Sequence, residues 1–134
     1  METKIKPKTG ILQMGIVTEK LVESKAFYQT WLGWTIKFES EWFVLLAHPE
    51  HSDRELAFML PDQTAVRKPY FQKPYTGQGM WLIVECEDIQ KTYEFLKSQS
   101  APIDLEIVTE EWGDTHFTMV DPNGIGVDFV QLRS

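Results

Sequence analysis

Apolar and polar residues recur along this chain at two periods, and the switches between them mark out its elements. The stretch "ILQMGIV", Ile11 to Val17, has the composition of a strand. In "TEKLVESKAFYQTWLG" the period changes: Leu21, Ser24, Tyr28, Trp31 and Leu32 fall on one helical face, Thr18 is placed to cap the start, and Gly33 supplies the stop. Three short strands are predicted next, "WTIKFE", "WFVLLAH" and "ELAFML", with turn residues between them. Residues 61–78, "PDQTAVRKPYFQKPYTGQ", break the pattern with three prolines, a glycine and no period. Long connections of this sort in small domains are commonly functional. The order then restarts: a strand "GMWLIVE", a helix "DIQKTYEFLKSQS" with Ile89, Tyr93 and Leu96 on one face, and strands "IDLEIVT", "THFTMV" and "GVDFVQL".

Both halves therefore read strand, helix, three strands. A constant offset of 68 sets Gln13 on Trp81, Ile16 on Val84, Glu19 on Glu87, Leu21 on Ile89 and Phe27 on Phe95. After the first helix an offset of 70 sets Trp42 on Trp112, Phe58 on Asp128 and Met59 on Phe129. The expectation is one α+β domain over 1–134, a duplicated βαβββ unit with a first module at 11–60, a connection at 61–78 and a second module at 79–131.

Composition narrows the function. At 43% hydrophobic, the 134 residues suffice for a core. Acidic residues outnumber basic ones 20 to 13, a net charge of −7, which argues against nucleic acid; the single small basic cluster is Arg67, Lys68 and Lys73. No run of apolar residues is long enough to span a bilayer, and the opening "METKIKPKTG" has no secretory apolar core. A cytoplasmic protein without membrane or nucleic-acid partners is expected. One cysteine, Cys86, rules out an intrachain disulfide and a cysteine zinc site, and is read as a packing residue.

The segments "FYQTWLGW" and "EEWGDTHFTMVDPNGIGVDFVQ" resemble the vicinal oxygen chelate superfamily, which includes glyoxalase I, extradiol dioxygenases and the bleomycin-resistance proteins. The resemblance runs from Ile11 to Gln131. It implies paired βαβββ modules whose curled mixed sheets enclose an open cavity. In metal-using members, four cavity-facing side chains from the first and fourth strands of each module hold a divalent ion. Carried over, those positions are Gln13, Phe58, Trp81 and Asp128. Phe58 and Trp81 cannot coordinate, so Gln13 and Asp128 are read as vestiges of a metal site, and neither a metal nor any other cofactor is expected. His48 and His51 are assigned to a solvent-facing hairpin, and His116 to an ordinary strand position.

Strand alternation puts Asp128 on the face opposite Val127 and Phe129, toward a cavity. The same reasoning groups Gln13, Gly15 and Val17 on one cavity face, Leu56, Phe58 and Leu60 on another, and Trp81 with Ile83 on a third. Trp112, from the "W-G" signature, is expected at the rim. The resemblance to the bleomycin-resistance branch implies a homodimer that binds a small organic molecule, aromatic and cationic, through Gln13, Phe58, Trp81, Trp112 and Asp128, with no catalytic residue. Tyr70, Phe71 and Tyr75 of the long connection are expected in dimer contacts or a pocket lid. Two other readings stand beside this one. The first is a metal-dependent lyase or dioxygenase recruiting His116, Glu85 or Glu55. The second is an interaction module whose cavity is filled by its own Phe58 and Trp81.

Overall fold

A computed structural model describes residues 7–64, 66 and 69–131. Arg67 and Lys68 of the basic cluster, and Leu132 of the last predicted strand, lie outside them. The first unit comprises β1 (Leu12–Val17), α1 (Leu21–Leu32), β2 (Thr35–Glu39), β3 (Phe43–Ala47) and β4 (Arg54–Met59). A short 3-10 turn at Pro69–Phe71 interrupts the connection. The second unit repeats the order with β5 (Trp81–Cys86), α2 (Ile89–Ser98), β6 (Ile103–Thr109), β7 (Thr115–Val120) and β8 (Gly126–Gln131). Each unit forms a mixed four-stranded sheet, ordered β1-β4-β3-β2 and β5-β8-β7-β6. The first and fourth strands of each run parallel, joined by the crossover helix, while the hairpins are antiparallel. Among the described residues no helix is long and apolar enough to cross a membrane.

The helices cover one face of each sheet. Tyr28 and Phe58 are fully buried beneath α1, with ring centroids 5.5 Å apart. Under α2, Tyr93 meets Phe117 edge-on at 5.1 Å, and Phe117 stacks on Phe129 at 4.7 Å. Asp88 caps α2 by accepting from the Lys91 N–H. Thr18 does not cap α1, because the helix begins at Leu21. Its hydroxyl instead accepts from the Lys20 N–H at 2.8 Å and pairs with the Asn123 side chain.

That pairing belongs to a latch between the halves. The "DPNG" turn of the second unit sits at the start of α1 in the first. The Asp121 carboxylate is 4% exposed. It accepts from the Asn123 and Ile125 N–H groups at 2.8 and 3.0 Å and from the Tyr28 hydroxyl at 2.7 Å. Asn123 in turn donates to the Ser24 hydroxyl at 3.0 Å. Burial first, and then the adjacent carboxylate, push the Tyr28 phenol up, so it remains a donor.

The sheet register corrects the repeat alignment. Gly15 lies opposite Ala57, and its mate Ile83 lies opposite Asp128, so the fourth strands are offset by 71 rather than 70. Asp128 therefore corresponds to Ala57, and Phe58 to Phe129. Phe58 and Leu56 face the core, not the cavity. The cause is visible in β4 itself. Leu56, Ala57 and Phe58 are all buried and Met59 and Leu60 are half-buried, so the run is apolar on both faces and its alternation carries no sign.

Candidate functional site

Each sheet has a second face, turned away from its helix, and the two faces differ. On the first sheet, cross-strand rows place Gln13 beside Glu55, Gly15 beside Ala57 and Leu45, and Val17 beside Met59 and Phe43. The middle row is small at its centre. A Cβ added at Gly15 would meet no atom within 4 Å, so open space lies above it. The connection folds over this space, tied down by the Tyr75 N–H donating to the Val17 carbonyl at 2.8 Å. The result is a cavity of about 620 Å³ lined by Gln13, Gly15, Val17, Phe43, Ala57 and Met59 below, by Tyr70, Phe71, Lys73 and Tyr75 of the connection, and by Met80 just before β5. The volume falls in the range of small-molecule sites, roughly 300–1,000 Å³.

Polar groups here are few. Glu55, 3% exposed, accepts from Gln13 Nε2 at 2.6 Å and pairs with Lys37. Those hydrogen bonds, Lys37's first, hold its carboxyl below the usual carboxylate range. Lys73 has no ion pair among the described residues. The Tyr75 hydroxyl is enclosed without a partner among them, a situation that costs about 1–3 kcal/mol.

The second sheet keeps its face open. Its rows run Trp81–Gly126–Val120, Ile83–Asp128–Thr118–Leu105 and Glu85–Val130–His116–Val108. Trp81 is 57% exposed and Ile83 61%. A shallow hollow of about 220 Å³ brings Trp81, Asp104, His116, Thr118 and Asp128 together. Asp128 is indeed on the face opposite Val127 and Phe129, and its half-buried carboxylate has found a partner. His116 Nδ1 lies 2.7 Å from Asp128 Oδ1, and Nε2 lies 3.4 Å from Glu110 Oε2. Glu110 is brought there by the β6–β7 turn, which closes through the Glu110 N–H to the Asp114 carbonyl at 2.8 Å. The Asp128 hydrogen bond raises the imidazole's pKa, burial opposes it, and Glu110 adds to the rise.

The five expected ligand contacts thus divide among different places. Gln13 lines the covered cavity, Trp81 and Asp128 share the open hollow, and Phe58 belongs to the core. Trp112 lies in the β6–β7 turn, 59% exposed, where Nε1 donates to Asp114 Oδ2 at 3.0 Å; it lines neither hollow. Tyr70, Phe71 and Tyr75, expected in dimer contacts or a pocket lid, line the covered cavity, whereas Lys73 and Met59 were not singled out as cavity residues. The available signal was the placing of aromatics inside an otherwise polar, proline-rich connection.

The donor set does not fit a divalent ion. The sheet register puts Gln13, Ala57, Trp81 and Asp128 at the four corresponding positions, and Ala57 and Trp81 bring no ligating atom. The Gln13 amide is engaged by Glu55, and Asp128 by His116. Among the described residues no group of three or more His, Cys, Asp or Glu is placed to hold a metal. Cys86 is half-buried, and burial pushes its thiol up, the reverse of nucleophile activation.

Residues 10–129 match the sequence profile of the Glyoxalase/Bleomycin resistance protein/Dioxygenase superfamily, and the chain belongs to that superfamily. Solved structures agree on the fold. A glyoxalase/bleomycin resistance protein/dioxygenase from Nocardioides superposes with a TM-score of 0.74 at 22% identity, covering 96% of this chain and 85% of that one. A lactoylglutathione lyase from Agrobacterium tumefaciens gives 0.70 at 16%, covering 94% and 96%. A bleomycin resistance determinant encoded on transposon Tn5 gives 0.63 at 19%, covering 94% and 100%. At these identities the likeness speaks to fold alone. No curated protein matches the sequence.

Proposed function

We propose that this chain is a binding protein that holds a small organic molecule in the covered cavity of its first sheet. One observation carries the reading: the connection closes over a mostly apolar space of about 620 Å³ that the chain's own side chains leave unfilled. A self-filled interaction module would put bulk there, whereas Gly15 and Ala57 form the floor and Phe58 packs on the opposite side of β4. The cationic class of ligand inferred from Asp128 has less support, since that carboxylate is already matched by His116.

The fluorescent apolar probe N-phenyl-1-naphthylamine tests the reading. Wild type is expected to bind it saturably with enhanced emission. Gly15→Leu projects a side chain into open space from backbone of ordinary conformation, so it should fold and lose most of the enhancement. No saturable binding, or equal binding by Gly15→Leu, would overturn the proposal.

A further inference from the structure

Resting on that reading, we infer that the covered cavity selects amphipathic organic anions, an aromatic or branched apolar body bearing one carboxylate, through Lys73. The walls decide the body. Phe43, Tyr70 and Phe71 supply flat apolar surface, and Met59 and Met80 supply side chains that adapt to shape. Gly15 and Ala57 leave depth above the sheet.

The charges decide the head group. Among the described residues two basic side chains border this face, and they are in different states. Lys37 is spent on Glu55, the one carboxylate buried at this end of the sheet. Glu55 is therefore neutralised within the wall, by Lys37 and by the Gln13 amide, and presents no free negative charge. Lys73 lines the cavity and has no counter-ion among the described residues. Lys73 is exposed at the edge of this largely apolar space, so its ammonium is within reach of an anionic head group whose body lies inside. Tyr75, two residues away on the same segment, adds a further ring to the wall. Among the described residues no unengaged carboxylate lines the cavity, so none of them offsets the repulsion a cationic head group would meet from Lys73.

Calorimetric titration of the full chain with three compounds of one shape separates the possibilities: 2-naphthoate, 2-naphthamide and 2-naphthylmethylamine. The expected order is naphthoate tightest, the amide about tenfold weaker, and the amine weakest. Lys73→Gln, on an exposed part of the connection, should bring naphthoate down to the level of the amide and leave the amide unchanged.

If all three compounds bind alike, and Gly15→Leu abolishes all three, the cavity binds but the charge selection is wrong. Tightest binding by the amine, or a naphthoate affinity unmoved by Lys73→Gln, also overturns the inference while sparing the binding function. Absence of binding by all three and by the neutral probe removes both.

Discussion

His116 stands between two carboxylates, Asp128 at one ring nitrogen and Glu110 at the other, and this arrangement favours the imidazolium. The sign of the consequence follows from linkage. The folded pKa lies above the unfolded value of about 6.5, so the stabilisation is fully present below that value and is lost as pH rises through the raised folded pKa. Melting temperatures between pH 6 and 9 should therefore fall for wild type. Asp128→Asn should largely flatten that fall, and parallel profiles would show that the pair is not responsible. The carboxylate was legible as a cavity-facing acid because Val127 and Phe129 on either side are unambiguous core residues. Its partner was not, because only the β6–β7 turn and the strand register bring His116 and Glu110 to it. Phe58 was misplaced for the opposite reason: β4 has apolar residues on both faces, so a shift of one position leaves the pattern looking equally good.

Among the elements, the turn at Asp121 carries more than a change of direction. It gathers α1, β7 and β8 around one buried carboxylate whose partners come from both halves. Tyr28→Phe keeps the ring against Phe58 and removes a hydrogen bond to a charged acceptor. The expected loss is about 1.5–3 kcal/mol in denaturant unfolding, with affinity for the neutral probe unchanged because Tyr28 lies on the far side of the sheet from the cavity. Most strands and both helices were readable from periodicity, since each has one face on a core and one elsewhere. Residues 61–78 were not. Their prolines and lack of period announce a connection but do not say which sheet it will cover, which is fixed by tertiary bonds such as Tyr75 to Val17.

At the scale of the whole molecule the duplication is unequal. One sheet is roofed by its own chain, and the other presents Trp81, Ile83, Leu105 and Val120 to solvent. An apolar face of that kind marks an interaction surface, and we propose that a second copy of the chain covers it. Light scattering should return twice the chain mass for wild type. Ile83→Lys should return the chain mass, and because Ile83 is 61% exposed the substitution should barely change the stability of the single chain. A wild-type protein of single-chain mass at tens of micromolar would refute the dimer.

Met80 lines the covered cavity, and the next residue, Trp81, opens β5 on the other sheet with its ring in the open hollow. One peptide bond thus separates the wall of one compartment from the wall of the other. A ligand that shifts the backbone at Met80 on filling the first would also shift the backbone that carries Trp81 in the second. Loading with 2-naphthamide should shift an emission component that disappears in Trp81→Phe, while calorimetry shows that the variant still binds.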